Sequence, residues 1–185
     1  AQAREKTASW TVMVYMAADN DLENFALADI NEMEEVGSTE DVNVLVQIDR
    51  SEDYTTRDGN WTDARRFFID YEERYSPGRV TSPEVEKLGE VNMGDPGVLA
   101  DFVVWGMTTY PAENYALVIW DHGGSWFGVA SDYSENGDEL TMPEVAQAMR
   151  QITLQTGVPR LDLVGFDACL MGALELYQSL HGYAE

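Results

Sequence analysis

Trp10–Ala18 reads WTVMVYMAA, a nearly unbroken apolar and β-rich run. Such a run predicts a strand buried on both faces of a sheet rather than one facing solvent. It ends in Asp19-Asn20-Asp21, residues able to cap a helix whose apolar positions Leu22, Phe25, Ala26, Ile30 and Met33 recur at helical spacing before Gly37 stops it. A second apolar run, Val42–Ile48 (VNVLVQI), ends at Asp49-Arg50, and the charged stretch through Gly59 reads as a surface loop. Strand, helix, strand in that order favours parallel pairing. Arg65–Tyr71 and Val80–Gly89 flank a turn signal at Pro77-Gly78 and are expected to form a small antiparallel excursion.

The main pattern then resumes. Asp95-Pro96 supplies an acidic cap and a proline at the first helical position, opening a helix to about Thr109 before Pro111. Tyr115–Trp120 (YALVIW) is the third expected strand, with Asp121-His122-Gly123-Gly124 at its carboxyl end. A polar, glycine-containing loop follows through Asp138, and Thr141-Met142-Pro143-Glu144 reads as a capping box opening a helix to about Gln155. Gly157-Val158-Pro159 ends that helix. Leu161–Phe166 (LDLVGF) is the fourth strand, and Asp167-Ala168-Cys169 stands at its carboxyl end with a helix from Cys169 through Leu180. The expected fold class is therefore α/β, a mainly parallel central sheet flanked by helices in three layers, over residues 10–185 after a disordered lead at 1–9. Only Gly182-Tyr183-Ala184-Glu185 follows the last helix. With four parallel strands and nothing to cover the far edge, further C-terminal elements are expected to associate with this core.

Composition narrows the functional classes. The 185 residues, 44% of them apolar, suit one domain with a substantial core. The formal charge of −23 repels nucleic acid and anionic membranes at long range and attracts cationic peptides. No apolar run approaches the roughly 18 residues of a membrane span. The single cysteine, Cys169, excludes an internal disulfide and any zinc site built from several cysteines.

That cysteine has informative company. A thiolate is a strong nucleophile, but free cysteine with a pKa near about 8.5 is mostly thiol at neutral pH and needs a base or cation beside it. His122 and Cys169 lie 47 residues apart, yet each follows a buried strand, and the tips of adjacent parallel strands share one edge of the sheet. The glycines after His122 let a backbone N–H approach a developing oxyanion, so Gly123 N–H and Cys169 N–H are the expected donors. A helix opening at Cys169 would add its positive end to both thiolate and oxyanion. Read singly, His122 also suits a satisfied strand-end histidine and Gly123-Gly124 a simple turn. The joint occurrence of DHGG and FDACLMG after consecutive strands is what specifies chemistry.

The segments VMVYMAADNDLE, VIWDHGGSW and LVGFDACLMG resemble, in order and spacing, the most recognisable stretches of the clostripain family of cysteine peptidases. The resemblance runs from about Trp10 to Leu180. It implies a caspase-like fold, a catalytic dyad of His122 and Cys169, cleavage of peptides and proteins after basic residues, and a substrate-pocket role for Asp167, two residues before the nucleophile. A carboxylate there would pair with the substrate cation; a helix cap is the other reading of Asp167. Such enzymes are often activated by self-cleavage at a basic residue between the histidine and cysteine segments, but Ser125–Met149 holds neither Lys nor Arg, and Arg150 lies inside an expected helix. The chain is then active unprocessed, processed elsewhere, or different in specificity.

Some members of that family require calcium. The acidic loop Asp132–Glu144 matches an EF-hand only in Asp132, Ser134, Asn136 and Gly137, with Pro143 where the twelfth-position glutamate belongs, so it reads as a solvated acidic loop; no cofactor is required, and calcium bound at a different site is the alternative. His181 reads as a favourable cation at a helix C-terminus. Trp126 suits either packing or the wall of a cleft. Against the peptidase stand two other classes, a noncatalytic caspase-like binding module of a larger surface protein and a Cys-His amidase. A secreted or cell-surface location is expected, with a cytoplasmic one as the alternative.

Overall fold

The computed structural model describes residues 7–73 and 76–184. In chain order the elements are β1 (Ala8–Ala18), α1 (Glu23–Glu34), β2 (Val42–Arg50), β3 (Ala64–Phe68), β4 (Glu84–Gly89), α2 (Pro96–Thr109), β5 (Ala112–Trp120), β6 (Val129–Asp132), β7 (Asp138–Leu140), α3 (Met142–Thr156), β8 (Leu163–Asp167) and α4 (Leu174–Leu180). Six strands form one sheet in the order β4-β3-β2-β1-β5-β8. β2, β1, β5 and β8 pair in parallel, while β3 and β4 extend the β2 edge as the expected antiparallel excursion.

Strand alternation explains the unbroken apolar run of β1. Met13, Tyr15 and Ala17 enter one core with α2, α3 and α4, while Val14, Met16 and Ala18 enter a second core with Ala26 and Ile30 of α1. β5 divides in the same way, Leu117 and Ile119 to the first core and Trp120 to the second. A strand covered on both faces has no position for a polar side chain along most of its length. The first polar residues past each strand therefore collect at its tips.

The helix termini follow their local chemistry. Asn20 Oδ1 accepts from Leu22 N–H at the start of α1 (2.9 Å), and Asp95 Oδ1 accepts from Gly97 N–H at the start of α2 (2.6 Å). α3 opens on the expected capping box of Thr141 and Glu144 and closes on Gly157, whose φ of 74° is the left-handed conformation glycine adopts without strain.

Four expectations change. The lead expected over residues 1–9 falls partly outside the described residues, and Ala8 and Ser9 already belong to β1. The fourth parallel strand is shifted to Leu163–Asp167, with Leu161 making only an isolated bridge to Ala184. The helix expected from Cys169 begins at Leu174, because Leu170 takes a left-handed φ of 62° that breaks a helical path. The stretch read as a solvated acidic loop is in part the β6–β7 hairpin, with Asp132 fully buried.

Candidate active site

The β5–β8 ladder brings the two chemical motifs together. Trp120 pairs with Asp167, and Asp121 N–H donates to the Asp167 carbonyl at 3.3 Å, so His122 and Ala168-Cys169 leave the same edge of the sheet. Gly123 then packs directly on the Cys169 loop. A Cβ at position 123 would overlap the Cys169 carbonyl oxygen and stand 3.0 Å from Met171 Cγ and 3.1 Å from Ala168 Cβ. Real Cβ atoms essentially never approach backbone so closely, so glycine here is a requirement of the loop–loop contact itself. Gly124 N–H donates to Gly128 O (2.9 Å), and Gly123 bridges Val129 in antiparallel fashion, which ties the histidine loop to β6.

His122 has a partner that the sequence did not announce. Its Nε2 lies 2.9 Å from Asp21 Oδ1, and this hydrogen bond is the main reason the Asp21 carboxyl is held below its ordinary range. With the Nε2 proton directed at Asp21, the other ring nitrogen, Nδ1, is left as the basic one. Asp21 reads as a cap from sequence, yet it follows β1, whose tip shares this edge with β5. That shared edge was the available signal.

Beneath His122 lies a buried polar network. Asp121 accepts from Asn20 Nδ2 (2.7 Å) and from Ser131 N–H, and burial pushes its carboxyl up to about 7. Asn20 also donates to Ala17 O (3.0 Å) and Ser131 O (3.2 Å), so one side chain joins the ends of β1 and β5 to the β6 hairpin. Each such bond contributes about 1 kcal/mol net, while an orphaned buried partner costs about 1–3 kcal/mol.

Cys169 is exposed and sits in the turn after β8. Because α4 starts five residues later, no helix N-terminus stands behind the thiol, and Asp167 does not cap that helix. Asp167 is the last residue of β8 and exposed; it shares a groove with Trp120, Met33, Glu32 and Asp29, and its charge helps to raise the Asp29 carboxyl, after the larger effect of burial. Trp126 and Phe127, just after the histidine loop, are 51% and 76% exposed, too open for core packing. His181 is the C-cap residue of α4.

A parallel α/β sheet with a histidine and a cysteine loop in contact at its carboxyl edge defines a caspase-like protein. A sequence profile of the clostripain family, Peptidase_C11, matches residues 14–185, and the chain belongs to that family. Clostripain of Hathewaya histolytica is 30% identical over 195 residues, covering 94% of this chain and 36% of the relative. A secreted C11 cysteine protease from Bacteroides thetaiotaomicron, solved in complex with an irreversible peptide inhibitor, matches with a TM-score of 0.74 at 27% identity, over 96% of this chain and 47% of that one. An inactive zymogen C11 protease from Parabacteroides distasonis shares the fold with a TM-score of 0.69 at 23% identity, over 98% of this chain and 48% of that one. The chain thus spans about a third to a half of the length of these relatives.

The Asp121 network has a pH signature. With its carboxyl raised to about 7, the folded state keeps a proton that the unfolded chain releases near pH 4, so this group's contribution to stability declines as pH rises between those values. Asp121→Asn is expected to be less stable by about 1–3 kcal/mol, because its amide turns a donor toward a donor. Its stability should also fall less steeply from pH 4 to 7 than that of the unsubstituted chain, measured by urea unfolding across the range.

Proposed function

We propose that this chain is the catalytic core of a cysteine endopeptidase that cleaves after Arg or Lys through a dyad of Cys169 and His122. The packing of Gly123 against the Cys169 loop is the observation that carries the reading, since it joins the two motifs whose residues the chemistry needs. His122 Nδ1 takes the thiol proton of Cys169, and the Sγ so freed attacks the scissile carbonyl carbon. Gly123 N–H and Cys169 N–H hold the oxyanion. The imidazolium, steadied by Asp21, gives its proton to the departing amine, leaving a thioester. A water deprotonated by the same imidazole then hydrolyses that acyl-enzyme.

Specificity follows from Asp167, whose exposed carboxylate would pair with the guanidinium or ammonium of the residue before the scissile bond. Asp29 and Glu32 in the same groove add to its negative potential. Peptides and proteins bearing basic residues are the substrates, and the −23 charge steers them toward the molecule. A secreted or cell-surface setting accords with the secreted relative. No helix among the described residues is long and apolar enough to cross a membrane. With no Lys or Arg in Ser125–Met149, a self-cleavage after a basic residue would fall outside that stretch.

Incubation with an Arg-terminated acyloxymethyl ketone should add one adduct by intact mass to the chain and none to Cys169→Ala. Labelling only by a nonpeptide electrophile would favour an amidase, and no labelling at all the binding module. Asp167→Asn should lower kcat/KM for Arg substrates by about 10- to 100-fold, the loss of a charge-assisted hydrogen bond costing about 1.5–3 kcal/mol, while the rate of Cys169 alkylation by iodoacetamide stays unchanged. Asp21→Ala should reduce kcat about tenfold with KM little altered. Asp21→Asn, which still accepts from Nε2–H, should retain more activity than the alanine variant; equal losses would reduce Asp21 to a structural role.

A further inference from the structure

The turn that follows the histidine loop presents two large aromatic side chains to solvent. Trp126 is 51% exposed and its neighbour Phe127 76%. Their backbone is fixed from both ends: Gly124 N–H donates to Gly128 O (2.9 Å), Phe127 N–H donates to Gly124 O (3.3 Å), and Gly123 bridges Val129 across the base of the turn. Ser125 takes a left-handed φ of 59°, a conformation that costs any residue with a Cβ. Gly128 packs so closely on β7 that a Cβ there would stand 2.9 Å from Leu140 O. Among the described residues neither ring pairs with another aromatic or with a cation. One exposed apolar residue is ordinary on a protein surface, but two adjacent rings on a turn braced in this way hold apolar area in water without an internal contact to offset it.

The position of the turn matters as much as its exposure. Val129 and Ala130, which follow it, belong to the core shared with α2 and α3, so the turn rises on that face of the carboxyl edge. The groove that holds Asp167 is lined by Val14, Met16 and Val118 and lies on the α1 face. His122 and the Cys169 loop stand on the edge between the two. The imidazolium must come within about 2.6–3.2 Å of the departing amine, so the residue that carries that amine begins beside His122. Trp126 is at most four Cα steps of about 3.8 Å from His122, within reach of the first residue beyond the scissile bond and its side chain. A peptide whose basic residue enters the Asp167 groove on one face therefore crosses the edge at the dyad and leaves over the aromatic turn on the other.

We propose that Trp126 and Phe127 form a subsite for a large apolar side chain, aliphatic or aromatic, on the residue directly after the scissile bond. The assignment rests on the peptidase reading given above and adds the leaving-group side to it. Aromatic rings offer broad, rigid contact area at a small cost in side-chain entropy, having two rotatable bonds each. Leucine or phenylalanine at that substrate position removes apolar area from water on both partners, and glycine removes almost none. The turn Ser125-Trp126-Phe127-Gly128 carries no charge, so an acidic side chain finds no partner there and meets the repulsion of a −23 chain. The contact is made with the half of the substrate that departs, so it acts while the acyl-enzyme forms and is gone before water hydrolyses the thioester. The preference therefore appears in kcat/KM, which covers the steps up to acylation.

Internally quenched peptides with Arg before the scissile bond and Phe, Leu, Gly, Asp or Arg directly after it test the subsite in the full chain. The Phe and Leu peptides should exceed the Gly peptide in kcat/KM by about tenfold, with Asp the poorest. The double variant Trp126→Ser, Phe127→Ser, changed at exposed positions, should bring Phe and Leu down to within about twofold of Gly. The loss should be confined to those two peptides: the Gly peptide and an Arg methyl ester, whose leaving group ends short of the turn, place no side chain on the rings and report the dyad and the Asp167 groove alone. Trp126→Phe, which keeps an aromatic face, should retain most of the preference. Equal rates for Phe, Leu and Gly in the parent, a preference that survives the double variant, or a loss shared equally by the ester would overturn the subsite. Selection of Arg at the varied position would do so too, since it would mark the rings as a cation site. A parent chain inactive toward ester and peptides alike, with no ketone adduct, would instead sink the peptidase reading and the subsite with it.

Discussion

Everything at the candidate site depends on the parallel pairing of β1 with β5 and of β5 with β8. Parallel strands point their carboxyl ends the same way, and strands sealed by cores on both faces must shed polar groups at those ends. His122, Asp21, Asp121 and the Cys169 loop are held on one edge by that geometry. The same rule places Asp19 and Asp49 beside them, one past the end of β1 and the other near the end of β2. A single constraint therefore gathers His122, the Cys169 loop and these carboxylates on one edge, and Asn20 ties the tip of β1 to Asp121 and Ser131 there.

The fold was largely legible because its signals were local and mutually consistent. Four strands, three of the helices, the Asp95 and Thr141 starts and the antiparallel excursion all rest on short-range patterns in the chain: apolar runs, capping residues and turns. The convergence of His122 and Cys169 was legible for a different reason, since it needed only the strand order and the rule that parallel tips share an edge. Membership of the clostripain family agrees with the motifs that suggested it.

What escaped the sequence was set by contacts between distant segments. Cys169 lacks a helix behind it because Leu170 turns left-handed where its loop meets Gly123, a contact across 46 residues that periodicity cannot register. The β6–β7 hairpin is too short, at four and three residues, to display alternation. Asp132 looked solvated in a run of acids, but Met93 N–H, Ser134 and the neighbouring carboxylates surround it. Asp21 resembled a cap beside Asn20, which did take the capping role; the division of labour between the two is decided only once β5 arrives next to β1.

The contact between Gly123 and the Cys169 loop also orders events in time. β1, β2 and β5, with α1 and α2, are all made before residue 121 is reached, and a growing chain tends to fold from its amino end. Among the described residues β8 pairs with β5 alone, and the thiol takes its place only when that short ladder closes. A partly synthesised chain thus carries a histidine loop and an acidic edge before Cys169 is in place, so the cell holding it meets an assembled sheet well before it meets the thiol.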